Sequence, residues 1–259
     1  MSTTDSMITC KGQGLFVHRA EDHPGRPTLV FLHDSLGSVS LWRDFPQRLA
    51  GATDCNLLVY DRRGYGRSEP FATGARTPVY LEQEADTLQA LLLQLGIGNA
   101  LLFGHSDGAS IALITAAKYP EGIRAVISEA AHIFVEEETL DGIRAALRAY
   151  IETDLKARLA RYHGDKTEAV FRAWTDTWLN PGFRNWNITH FLPRITCPVL
   201  LIQGSADNFG TDAQVNGIRD GVRGTVSVFL PDGVGHTPHK EAMEATMARA
   251  TEFIRMVAG

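Results

Sequence analysis

Cysteine is scarce in this chain: three residues in 259, at Cys10, Cys55 and Cys197. An odd number so widely spaced matches neither a disulfide framework nor a zinc-ligand pattern. No apolar run approaches the roughly 18 residues of a membrane span. The opening decapeptide lacks the basic-then-apolar order of a secretory signal. Lys and Arg number 25 against 30 Asp and Glu, a net charge of −5, the opposite of a basic nucleic-acid footprint. There is no internal repeat, no low-complexity segment, no glycine-rich phosphate loop after a strand and no H-x-x-x-H spacing. These absences predict a soluble, cytoplasmic protein acting on a small molecule. They call for no metal, no cofactor, no nucleic acid and no membrane partner, and they leave the oligomeric state open.

What is present is an alternation. At 44% apolar residues the chain can bury a full core. Short apolar runs at Leu29–Leu32, Leu57–Tyr60, Ala100–Phe103, Ala125–Ile127, Val199–Gln203 and Val226–Leu230 read as strands. Segments with a 3.6-residue apolar period separate them, so the fold class is α/β with a mostly parallel sheet flanked by helices. Leu81, Ala85, Leu88, Leu92 and Leu95 form one stripe, with Thr77-Pro78 as its start and Gly96 as its stop. Met243 to Val257 forms a closing helix. The segment after Ser106 is apolar nearly all round and reads as a helix buried on the sheet. Between residues 134 and 193 the alternation stops. Leu140, Ile143, Leu147, Ile151, Leu155 and Leu159 suggest one long or broken helix, followed by Trp174, Trp178, Phe183 and Trp186. The expected organisation is a core of residues 1–133 and 194–259 with a helical lid at 134–193; the alternative is an ordinary helical subdomain whose tryptophans serve only as core.

Gly104-His105-Ser106-Asp107-Gly108 follows a strand and opens the buried helix. A serine on such a turn projects above the sheet, and its neighbours must be small. A serine hydroxyl is a weak nucleophile at neutral pH and needs a base that is itself oriented by an acid. The chain offers these in the order Ser106, Asp207, His236, each just after a strand. His239 is the alternative imidazole. Asp232 and Glu129 are the alternative carboxylates.

These residues carry a resemblance. From about Leu15 to Met256 the chain resembles the α/β-hydrolase fold family, and Asp61-Arg62-Arg63-Gly64-Tyr65-Gly66-Arg67-Ser68 is similar to that family's D-x-R-G-x-G-x-S loop, a fold marker more than a catalytic one. The resemblance implies an oxyanion hole from the backbone N–H of Asp107 and of Ser35, in the loop His33-Asp34-Ser35-Leu36-Gly37. The family usually has glycine where Asp34 stands; a side chain turned away from the pocket would resolve the conflict. Ser106-Asp107-Gly108, with Ala116 to Pro120 and Leu192 to Pro198, resembles the valacyclovirase-like (biphenyl hydrolase-like) members. In those, the aspartate after the serine recognises the α-amino group of amino-acid esters. The match departs at Ala109, where that group has a second glycine.

The reaction expected is hydrolysis of a small carboxylic ester or thioester through an acyl-enzyme on Ser106. A carbon–carbon bond hydrolase of ring-cleavage products, a cofactor-independent perhydrolase or haloperoxidase, and a non-catalytic ligand receptor on the same fold are the alternatives. Trp174, Trp178 and Trp186 are candidates to line an apolar pocket. His132 is placed either at the pocket mouth or facing solvent, and Glu136 to Glu138 read as a helix N-terminal charge run.

Overall fold

In the computed structural model, residues 2–71 and 76–258 are described. Their strands are β1 (Thr4–Cys10), β2 (Gln13–Ala20), β3 (Thr28–Leu32), β4 (Asn56–Tyr60), β5 (Ala100–His105), β6 (Ile123–Glu129), β7 (Val199–Ile202) and β8 (Val226–Phe229). They form one sheet in the order β1-β2-β4-β3-β5-β6-β7-β8, antiparallel at β1–β2 and β2–β4 and parallel elsewhere. The helices are α1 (Phe45–Thr53), α2 (Tyr80–Gln94), α3 (Asp107–Lys118), α4 (Glu137–Glu152), α5 (Leu155–His163), α6 (Thr167–Trp178), α7 (Asp212–Gly221), α8 (Pro238–Glu241) and α9 (Met243–Ala258). None is long and apolar enough to cross a membrane among the described residues.

The apolar runs form strands because both sheet faces are covered. Along β3, Leu29 and Phe31 join the core under α1 and α9, whereas Val30 and Leu32 join the core under α2 and α3. That alternation is the two-residue period of a pleated strand with helices on both sides. In α3 every residue from Asp107 to Ala117 is buried, and its alanines allow close approach to the sheet.

The sheet order places the site. After β3 the chain crosses to β4 on one side, then jumps back over β3 to β5 on the other. The carboxyl ends of β3 and β5 therefore lie side by side where the winding reverses, the crevice in which open α/β sheets bind ligands. Between β6 and β7 the chain inserts α4, α5 and α6 and three 3₁₀ segments, a helical region over that crevice. Its tryptophans pack together: the Trp178 ring lies 5.2 Å from Phe183 and 5.4 Å from Trp186.

Several expectations need correction. The N-terminal hairpin was not foreseen: β1 is an edge strand of largely polar, exposed residues, so it carries little apolar signal. Its two-residue turn is nevertheless encoded by Lys11 and Gly12, both at positive φ (50° and 76°), the conformation that matches strand twist in tight hairpins. Helix α2 begins at Tyr80 rather than at Thr77-Pro78, because Thr77 to Val79 close a turn in which the Thr77 carbonyl accepts the Tyr80 N–H. Of the two forms expected for the 140–159 stripe, the broken helix is the one found: the break is at Thr153, where the backbone is extended. Ile151, just before the break, is exposed rather than packed. β7 stops at Ile202 and β8 at Phe229, each one residue short of the sequence reading.

Candidate active site

Ser106 sits at the β5–α3 junction with φ 54° and ψ −120°, a strained conformation for a residue with a side chain. The flanking glycines are sterically required. A Cβ on Gly104 would lie 2.2 Å from the Gly108 carbonyl oxygen, and one on Gly108 would lie 2.1 Å from that of Leu32. The Ser106 N–H donates to the Glu129 carbonyl at 2.9 Å, which pins the turn to the end of β6.

Three side chains from three strand ends meet there. His236 Nε2 lies 3.0 Å from Ser106 Oγ, and His236 Nδ1 lies 2.9 and 2.8 Å from the two Asp207 oxygens. An ionised carboxylate can only accept, so Nδ1 carries the proton and the Nε2 lone pair faces the serine. Asp207 also accepts from Gln203 Nε2 at 2.6 Å and from the Phe209 N–H at 2.8 Å. Burial works to raise its pKa, but the His236 hydrogen bond and charge, with the Phe209 N–H, outweigh it and hold the carboxyl below its ordinary value. The His236 carbonyl accepts from His105 Nε2 at 2.8 Å, and Glu241 takes the N–H groups of Gly235 and Thr237. The loop bearing His236 is thus fixed from both sides. Gln203, at the end of the apolar run Val199–Gln203, lies just past β7 and turns its amide onto Asp207.

The alternative candidates have other partners. Glu129 accepts from the His239 N–H and from its Nδ1 at 2.6 and 2.8 Å, so each of these two residues occupies the other. Asp232 accepts from Ser205 Oγ at 3.1 Å in a surface loop.

Ser35 and Asp107 flank the serine from the ends of β3 and β5, and neither backbone N–H has an acceptor among the described residues. The Asp34 side chain folds back over Gly37, where a Cβ would meet its Oδ1 at 2.0 Å. Burial would raise its carboxyl, yet His105, Lys240, His33 and His236 overcome that and bring it to about 2. The Asp107 carboxylate is buried. Its Oδ2 accepts from Tyr80 Oη at 3.0 Å and lies 3.6 Å from Arg62 Nη2, while Trp178 Nε1 donates to Tyr80 Oη at 3.0 Å.

A cavity of about 210 Å³ opens over Ser106. Its wall includes Leu36, Ile143, Trp174, Trp178, Phe209 and His132 as well as Asp34 and Asp107, and among the described residues it holds no lysine or arginine. Trp186, in contrast, packs behind Trp178 and is not part of this wall. His132 lies in the cavity wall rather than facing solvent: it is 3% exposed, its ring 5.9 Å from that of His236. Its Nε2 donates to the Phe209 carbonyl at 2.9 Å, and burial depresses its basicity. Glu136, read as part of a charge run, precedes α4 and takes the N–H and hydroxyl of Thr211 at 2.7 and 2.9 Å. It ties the inserted helices to the loop that carries Asp207.

Comparison with known proteins agrees with this architecture. Residues 27–217 match the family described as the alpha/beta hydrolase fold. The chain is 28% identical to the human serine hydrolase BPHL, over 98% of this chain and 87% of that protein. It is 27% identical to a 2-(acetamidomethylene)succinate hydrolase of Mesorhizobium japonicum, over 88% of each. Among solved structures, E-2-(acetamidomethylene)succinate hydrolase superposes with a TM-score of 0.75 at 24% identity, covering 98% of this chain and 99% of that one. The chain belongs to the α/β-hydrolase fold family and is related to the BPHL serine hydrolases.

Proposed function

We propose that this protein is a serine hydrolase that cleaves a small carboxylic ester or thioester, with Ser106 as nucleophile, His236 as general base and acid, and Asp207 as the orienting acid. The observation that carries the reading is the hydrogen-bonded line Ser106–His236–Asp207 at the floor of an apolar cavity. His236 takes the Ser106 proton as Oγ attacks the acyl carbon. The oxyanion of the tetrahedral intermediate is received by the N–H groups of Asp107 and Ser35, the former at the positive end of α3. His236 then returns the proton to the leaving oxygen or sulfur. A water follows the same course in reverse and frees the acid.

The cavity wall speaks to the substrate. With no fixed cation, it offers a second carboxylate nothing to pair with, and that weighs against the dienoates handled by carbon–carbon bond hydrolases. Its aromatic and aliphatic surface suits an uncharged acyl group of modest size. The test is labelling with a fluorophosphonate probe together with a panel of short and medium p-nitrophenyl esters, an acyl thioester and a dienoate ring-cleavage product. Wild-type protein should label on Ser106 and turn over the esters, and Ser106→Ala should do neither. Turnover that survives Ser106→Ala places the chemistry on another group, and a folded wild type that neither labels nor turns over points to a receptor.

A further inference from the structure

Arg62 stands at the variable second position of the Asp61–Ser68 loop. Its side chain is fully buried, yet Nε and Nη1 have no hydrogen-bond partner among the described residues. Its hydrogen bond is made through Nη2, which donates to the Asp34 carbonyl at 2.8 Å and lies 3.6 Å from Asp107 Oδ2, while the guanidinium stacks over the Tyr65 ring at 4.7 Å with Glu84 also nearby. Burying a guanidinium with so few of its donors used is costly, and a loop needed only for shape could hold an apolar side chain there.

The two contacts share a target. The Asp34 carbonyl and the Ser35 N–H belong to one peptide unit. In a trans peptide the two point in opposite directions, so fixing the oxygen aims the N–H. That oxygen has a second donor. The Arg62 backbone N–H donates to His33 Nε2 at 3.0 Å, which leaves the proton on Nδ1, and Nδ1 lies 2.8 Å from the same Asp34 oxygen. A cationic and a neutral donor on one carbonyl draw electron density toward it and strengthen donation by the N–H at the other end. Nη2 also faces the carboxylate of Asp107, the residue whose own N–H is the second oxyanion donor. Arg76 also acts on that carboxylate from farther off, but without the guanidinium at 3.6 Å its charge would stand less compensated beside the oxyanion as it forms and oppose it.

We infer that Arg62 is a positioning residue for the oxyanion hole, polarising the 34–35 peptide through its carbonyl while neutralising the Asp107 carboxylate. The inference rests on the serine-hydrolase reading above. Its distinguishing consequence is selective loss of transition-state binding, because a shape-only role would loosen ground-state and transition-state ligands together.

The experiment uses Arg62→Met and Arg62→Lys with two inhibitors of matched carbon skeleton. One is a trifluoromethyl ketone, which adds the serine to form a tetrahedral oxyanion; the other is the corresponding alkyl alcohol, which only fills the cavity. For Arg62→Met, kcat on a p-nitrophenyl ester should fall roughly ten- to a hundredfold with KM nearly unchanged, a step below loss of a whole oxyanion donor. Trifluoromethyl ketone affinity should fall by the same factor while alcohol affinity holds. Arg62→Lys, which keeps the charge without the fork, should fall between the two and covers the case in which the methionine variant does not fold. Equal weakening of both inhibitors in the folded variants overturns the inference, as does an unchanged kcat. If wild type neither labels with fluorophosphonate nor binds the trifluoromethyl ketone, the serine reading itself has failed; normal wild-type behaviour with unaffected Arg62 variants refutes the Arg62 role alone.

Discussion

Glu129 and His239 form a fully buried carboxylate–imidazole pair, 2.8 Å from Nδ1 to Oε2, one layer behind the serine turn. The pair is flanked by Trp42 and Phe45, whose rings lie 4.5 and 5.7 Å from that of His239. Burial would raise the Glu129 carboxyl, but the charge and hydrogen bonds of His239 bring it below its ordinary value. Removing one partner of such a pair leaves the other uncompensated in an apolar surround. Glu129→Gln should therefore lose about 3 kcal/mol of unfolding free energy at pH 7. Because the folded carboxyl is depressed, its stabilisation is complete above about pH 4.5 and fades as pH falls through the folded value. Urea melts of wild type and variant should converge in strong acid. A constant gap across the range would refute this.

A second pH effect has the same sign but begins nearer neutrality. Burial, the leading cause, brings His105 from 6.5 to about 4, and it also depresses His33, His132 and His163. Between about pH 6.5 and 4 the unfolded chain binds a proton at position 105 that the folded chain refuses, so stability falls as pH falls. The full His105 shift corresponds to about 3 kcal/mol. The measurement is chemical denaturation at pH 7.5 and 5.0. A midpoint clearly lower at pH 5.0 is expected, whereas equal midpoints would mean these imidazoles accept protons in the folded state.

The sequence was informative where chemistry needs special backbone or a fixed residue type. The glycines around Ser106 have no room for a Cβ, so the turn announces itself, and the central strands β3, β4, β5 and β7 read as apolar runs because helices cover both faces. Groups that act through other groups were harder to read. Gln203 looks like one more strand residue until its amide is seen 2.6 Å from Asp207. Arg62 looks like part of a fold marker, since nothing in the string shows that the chain brings it under Asp34 and Asp107. The faces of the inserted helices were equally hidden, because Trp174 and Trp178 line the cavity while Trp186 backs them.

Gln203 gives a direct test of that hidden layer. Its amide donates to Asp207 Oδ2, the oxygen that also receives His236 Nδ1 at 2.8 Å. Gln203→Leu removes a donor to a charged acceptor of the sort worth about 1.5–3 kcal/mol. Expected are a kcat lower by about tenfold and little change in KM. A variant with wild-type kcat would show that His236 and the Phe209 N–H suffice to hold the acid.

Asp107 bears on substrate choice. A resemblance to amino-acid ester hydrolases gives the aspartate after the serine an ammonium to bind, yet here the carboxylate accepts from Tyr80 Oη and faces Arg62 Nη2. A substrate ammonium would compete with a guanidinium that is already in place and already desolvated. The p-nitrophenyl esters of valine and of isovaleric acid differ only in the α-amino group, and their kcat/KM values should agree within about threefold. The same pair tests the cause. In Arg62→Met the carboxylate loses the guanidinium at 3.6 Å and keeps the more distant Arg76, so the ratio should move toward the valine ester even as both rates fall. A wild-type preference for the valine ester of about thirtyfold or more would return the ammonium to Asp107. It would also mean that Arg62 moves away from the carboxylate when substrate enters.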